Sequence, residues 1–317
     1  MSGGFYHIAR NTFRECLREP IYLLLVLTCG TLIGTLPGMT LFVFHEQEKL
    51  VTDSGMAATL LFGLIVTVMC SARTVAADIR GGTSLLVLSK PVNRTLFIVA
   101  KTVGILAAGG VFWLVCAMST LIALRVATDE FRIDLRALSI YFASLVAGCG
   151  YGGLRSYFGR RSFCSTAVTG LVVAIPVGAL LIALLPSGAK SVGYAWELLP
   201  ALVLLLLAVL VFGAAAVAFS TRLDWAGALL LCFALFVIGL MSDYLVGRHA
   251  ASNALAAFAY VLIPNWQLFW MADALAADQA VPIRYVAWAA AYAAFLVSLF
   301  AALAALLFQR REVGDQG

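Results

Sequence analysis

The sequence predicts an all-α polytopic membrane protein of about eight transmembrane helices, a six-span core plus an inserted pair. An N-terminal amphipathic interfacial helix precedes them, and both termini are expected on the cytoplasmic side. Composition is the first observation: of 317 residues, 63% are hydrophobic and 12% charged, with a mean hydropathy of +1.00. Soluble domains carry about 25% charged residues. The second is that apolar runs of roughly 20 residues recur, each long enough to cross the ~30 Å hydrocarbon core. The third is that these runs do not alternate polar and apolar residues, as the strands of a membrane barrel would. The net charge of +5 comes from bases that flank the apolar runs, so it points to a membrane surface and not to nucleic acid.

Residues 1–20 form the first unit. Phe5, Ile8, Ala9, Phe13, Cys16 and Leu17 recur at helical spacing, while Arg10, Asn11, Arg14 and Arg18 fall largely on the other face. Such a helix rests on anionic lipid. The apolar stretch after it is too long for a signal peptide and lacks a small-residue cleavage site. Residues 21–317 form the transmembrane unit. Span 1 is expected over 21–44, with Pro20 in its first turn. Gly30, Gly34 and Gly38 stack on one face and permit close helix approach, either inside the subunit or between two copies. A short loop at 45–55 leads to span 2, over 56–72.

The stretch 73–101 is the longest polar island between two spans. It holds Arg73, Arg80, Lys90, Arg94 and Lys101 against one acid, Asp78. A short helix is expected over 74–88, weakened by Gly81-Gly82 and ended by Pro91. From the residues alone this is either an ordinary basic loop or a cytoplasmic elbow that a soluble partner grips.

Asp78-Ile79-Arg80-Gly81-Gly82-Thr83, then Leu85-Leu86, then Ser89-Lys90-Pro91-Val92-Asn93-Arg94 and Lys101 resemble the first cytoplasmic loop of ABC-2 type transporter permeases. There an acid precedes a Gly-Thr pair, an apolar stretch follows, and a Pro and an Arg lead to a Lys that opens the third span. Here the acid is Asp where Glu is more usual, and it sits farther from Gly82-Thr83. The resemblance implies the membrane subunit of an exporter. A separate ABC ATPase, carrying the ATP and Mg, would dock on the elbow through Asp78, Arg80, Gly82, Thr83, Leu85, Leu86, Pro91 and Arg94. A second permease copy or a homologous half would complete the pathway, in a bacterial inner membrane.

Span 3 is expected over 102–124, followed by a balanced loop at 125–136. The inserted pair covers 137–154 and 163–185, with Arg155, Arg160 and Arg161 between. Gly148, Gly150, Gly152 and Gly153 should make the end of the first thin and poorly helical. Spans 6, 7 and 8 follow over 198–219, 225–246 and 285–308. Between the last two, residues 250–283 contain an apolar segment too short to cross, broken at Pro264 and followed by Asn265 and Trp266. That is a helical hairpin dipping into the outer leaflet, with Trp at headgroup depth, or a lid lying flat on it. ABC-2 exporters resemble the former. Asp243 is the one acid within a span, near its outer end, where water or Arg248 would satisfy it.

Charge tests the orientation. With the N-terminus inside, the inner segments hold 14 of the 21 Lys and Arg and the outer ones 7. That bias favours both termini inside. Enzyme chemistry has little to build on. The chain has no phosphate-cradling G-x-x-x-x-G-K-[ST] motif, and no H-E-x-x-H or C-x-x-C, so no catalytic or metal-ligating residue is assigned. The seven cysteines lie in or beside apolar segments and suggest no disulfide framework. A permease subunit is the expected reading. A non-transporting scaffold, or a membrane-embedded enzyme, is the alternative.

Overall fold

The computed structural model describes residues 2–39, 47–80, 93–127, 133–184, 194–248, 258, 260–272, 274 and 281–309. Among them every regular element is helical. Helix α1 is Ser2–Arg18 and α2 is Pro20–Met39. The third, α3, is Gln47–Ser71, prolonged by a π turn at Ala72–Ala76 and a last α turn at Ala77–Arg80. Then come α4 (Arg94–Ala127), α5 (Leu135–Gly159) and α6 (Phe163–Leu184). Helices α7 (Leu199–Ser220), α8 (Trp225–Leu240) and α9 (Ile283–Gln309) complete the set.

Among the described residues seven helical segments are long and apolar enough to cross a membrane as unbroken helices. The further span expected over 225–246 is present in two pieces: α8 has 16 residues and is interrupted at Met241, which has φ −95° and ψ 6°, and helix resumes as a π turn at Asp243–Gly247. Together they run from beside Arg222 at the elbow end to Asp243 at the other. Side chains from the segment before α9 capture carbonyls of α8: Trp266 Nε1 donates to Leu235 O at 3.2 Å and Gln267 Nε2 to Leu240 O at 3.0 Å. The Gln267 bond falls at the interruption itself, on the last carbonyl of α8, while the Trp266 bond lies inside the helix.

Two spans exceed their expected bounds. The apolar core of α3 ends near Ala72, yet helix continues on both sides, taking in the expected loop at 47–55 and the start of the elbow. Helix α4 has 34 residues, about 51 Å of rise, so it projects beyond a hydrocarbon core. Arg94 and Lys101 are therefore part of α4, not of a connecting loop.

Helix α7 is the hub, packed by α3, α4, α8 and α9. It is apolar all round, and Val211–Ala218 is wholly buried. Gly213 and four alanines keep its girth small, the usual device for close approach between membrane helices. Helices α5 and α6 form a tight antiparallel pair. A Cβ on Gly170 would lie 2.5 Å from Gly148 O, and one on Gly152 would lie 2.7 Å from the Ala167 backbone. The glycines thus set contact distance between two regular helices; α5 stays helical to Gly159 and is not frayed by them. Asp134 caps α5, accepting from the Arg136 and Ala137 amides at 3.1 Å.

Tyr141 of α5 joins this pair to α2. Its hydroxyl donates to Gly30 O at 2.6 Å, and its ring lies where a Gly34 side chain would be. The glycine stripe therefore packs within the subunit at Gly30 and Gly34. Gly38 has nothing within 4 Å of an added Cβ.

Candidate functional site

Two polar clusters, one at each end of the bundle, carry the chemistry of this chain. At the end holding the α3–α4 connection, Lys101 is the central group. It is 3% exposed, an expensive place for an ammonium unless every donor is used. Helix α3 supplies the acceptors one turn apart: Lys101 Nζ lies 2.6 Å from Thr74 O and 2.6 Å from Asp78 Oδ2. The Phe97 ring covers the charge at 5.3 Å. The π turn accompanies this grip; the Ala77 amide bonds back to Ala72 O, five residues away. Asp78, expected at a partner interface, pairs with Lys101 and braces the connection while its side chain stays 36% exposed.

Helix α1 closes this end. Gly104 of α4 makes room for it, since a Cβ there would stand 2.6 Å from Ala9 O and 2.8 Å from Thr12 Cβ. Cys16 and Leu17 are buried, so the apolar face expected to lie on lipid seals against the bundle instead. Glu15 is drawn beside Lys101 and Asp78. Burial pushes its carboxyl up, Lys101 pulls the other way, and Asn11 donates to it at 2.7 Å. Arg73 meets Glu19 at 3.9 Å, partly exposed and weak. Helix α9 is moored here too: Gln309 Nε2 donates to Thr95 Oγ1 at 2.7 Å, Phe308 stacks on Phe97, and Arg222 donates to Leu307 O at 3.0 Å.

Among the expected elbow residues, Arg80 ends α3 and Arg94 is exposed in the first turn of α4. Gly82, Thr83, Leu85, Leu86 and Pro91, with most of the helix expected over 74–88, lie outside the described residues. What is described of that helix, Thr74 to Arg80, is the tail of α3. Arg10 is exposed on α1, whereas Arg14 and Arg18 line a cavity of about 440 Å³ together with Arg155, Arg160 and Arg161.

The second cluster surrounds Asp243 at the other end. The carboxylate accepts from Tyr260 Oη at 2.5 Å and from Asn265 Nδ2 at 3.0 Å. Asn265 Oδ1 caps the following 3-10 turn by accepting from the Gln267 amide. Tyr292 of α9 accepts from the Asn265 amide at 3.2 Å and donates to Ile263 O at 3.1 Å. The bond to Asp243 is the largest reason that the Tyr260 hydroxyl is held above the usual phenol range, with burial second. Arg248, which with water was one of two expected partners for Asp243, stacks on Tyr244 at 4.4 Å. An open cavity of about 600 Å³ borders Asp243, Tyr260, Arg248 and Gln267.

Pro264 and Asn265 are buried at the break of the 250–283 segment, as is Trp266. Trp266 was expected at headgroup depth. It is 2% exposed, stacks on Phe212 of α7 with ring centres 4.0 Å apart, and fills the space beside Gly239. The partners Tyr260 and Tyr292 were not foreseen; only the Asn265 side of the cluster stood out in the sequence. Among the described residues no group of three His, Cys, Asp or Glu comes together as a metal site. The cysteines are free, with Cys29 Sγ 3.4 Å from Cys116 Sγ.

Comparison with known proteins adds one family. Residues 6–155 match the model described as ABC-2 family transporter protein, from α1 through the elbow to Arg155 in α5. No curated protein matches the chain. The matched stretch spans the braced α3–α4 connection, and among the described residues seven helical segments are long and apolar enough to cross a bilayer; the two findings together support an integral membrane permease of ABC-2 type.

Proposed function

We propose that this permease is the membrane subunit of an exporter powered by a separate ABC ATPase, which binds and hydrolyses the ATP-Mg and docks on the elbow between Arg80 and Arg94. One observation carries the reading: Lys101 ties the end of α3 to α4 beneath the elbow. A push on the connecting segment therefore meets two helices fastened together, and is passed into the bundle instead of being absorbed at a loose loop. The orientation follows the 14-to-7 distribution of basic residues, with the elbow and both termini in the cytoplasm of a bacterial cell. Two such halves, identical or homologous, form the pathway.

The test is co-purification of a tagged permease with the ATPase encoded beside it. Leu85→Asp and Arg80→Glu leave membrane insertion intact and release the ATPase. Loss of an interface anchor costs about 2 kcal/mol, roughly thirtyfold in affinity. Wild-type recovery of the ATPase by Leu85→Asp removes the elbow as the docking site.

A further inference from the structure

The five arginines around the cavity at the elbow end come from two places far apart in the chain. Arg14 and Arg18 belong to α1; Arg155, Arg160 and Arg161 belong to the end of α5 and its turn into α6. No acid lines the cavity, and among the described residues none of the five is in a salt bridge. The adjacent acids in sequence are turned elsewhere: Glu19 meets Arg73, and Glu15 is bonded to Asn11 and feels Lys101 more strongly than Arg18. Convergent like charges repel, so folding gathers them at a cost that an anion would remove.

Two further features suit an anion. The hydroxyls of Ser162 and Ser165 share the cavity lining, and the first turn of the 22-residue α6 opens beside it. Arg160 has φ 48° and ψ 33°, a left-handed conformation where glycine is the usual residue. The chain keeps a guanidinium at a position whose backbone favours having no side chain at all.

What lies beside the cavity selects the kind of anion. Leu154, Tyr157 and Phe158 on the last turns of α5 are 61%, 83% and 78% exposed, and Val173 and Leu180 continue an apolar surface along α6. A basic hollow at a helix end, bordered by an apolar strip running into the bilayer, matches a molecule with a phosphate head and acyl tails.

We propose that this cavity is a binding site for the phosphate headgroup of an anionic phospholipid, its chains lying on the exposed faces of α5 and α6. The assignment rests on the chain spanning a membrane and not on its partner ATPase. It is tested with the purified full chain in neutral detergent. Phosphatidylglycerol, phosphatidylcholine and inorganic phosphate are titrated separately, and bound lipid is read by native mass spectrometry. Phosphatidylglycerol is retained and phosphatidylcholine is not. Arg160→Gly relieves the left-handed backbone while removing a cation, so weaker binding by this variant is not a folding defect. It binds about fivefold more weakly, and Arg160→Gly with Arg14→Gln about thirtyfold, while Arg10→Gln, one turn before Arg14 on α1 and outside the cavity lining, binds as wild type. An equal loss in Arg10→Gln would reduce the effect to diffuse attraction and overturn the site. Displacement of the lipid by millimolar inorganic phosphate would make the ligand a free anion and overturn the lipid assignment, as would failure to retain phosphatidylglycerol.

Discussion

Lys101 and Asp78 form a salt bridge of 2.6 Å between α4 and the end of α3, and the lysine has almost no access to water. Replacing it with Met keeps the length of the side chain but removes the ammonium that Asp78 and the Thr74 carbonyl share. Breaking a buried pair from one side costs about 3–5 kcal/mol, and the partial exposure of Asp78 lowers this to about 2. We expect a lower thermal midpoint for purified Lys101→Met. Adding Asp78→Leu should restore part of the loss. A double variant no better than Lys101→Met would mean that the carboxylate contributes nothing to the brace.

The glycine stripe of α2 yields a comparison between two positions on one face. Gly34→Val must displace the Tyr141 ring and strain its bond to Gly30 O; Gly38→Val meets open space within the chain. Overpacking of this kind costs about 1–3 kcal/mol. Detergent-solubilised Gly34→Val should lose yield and thermal stability, and Gly38→Val should resemble wild type. Equal damage at both positions would point to a contact at Gly38 with a second chain.

At the opposite end, Tyr260→Phe removes a donor from Asp243 and leaves Asn265 in place. Each bond to a charged group contributes about 1.5–3 kcal/mol where it is buried, less at this part-exposed site. Tyr260→Phe and Asn265→Leu should therefore each lower stability, and together by less than their sum, since both serve one carboxylate. Strict additivity in chemical denaturation would show that the three groups do not act as a unit.

The orientation is open to direct assay. A reporter active only outside the cytoplasm should be silent when fused at Gly159 or after Gly317. Inserted after Thr128, between α4 and α5, it should be active. Thr52 is unsuitable for such an insertion, because it is buried within α3. Activity at Gly159 would invert the whole arrangement.

Spans whose boundaries are marked by Pro, Gly or charge were legible from the residues: α2, α5, α6 and α7 begin close to where hydropathy puts them. The ends of α3 and α4 were not, because helix persists there through polar residues that hydropathy assigns to loops. Lys101 looked like a loop cation since its burial depends on Asp78 and Phe97, and on the docking of α1, contacts that local pattern does not contain. Trp266 is the converse case. Tryptophan statistics favour the headgroup layer, but the small Gly239 across from it opens a slot into the core. The four glycines of α5 read as weakness because propensity describes an isolated helix, whereas their effect here is on the distance to α6.

The π turn at Ala72–Ala76 means that α3 carries one residue more than a regular helix needs between the membrane and Asp78. The surplus makes the geometry depend on counting as well as on chemistry. Deletion of the exposed Arg73 is expected to close the turn as an ordinary α-helix with Asp78 still facing Lys101. In the full chain, regularising the turn would swing everything beyond it by about 100° and advance it by about 1.5 Å. The wide turn thus stores a fixed increment of rotation, and the hold of Lys101 on Thr74 and Asp78 is the catch that keeps it stored.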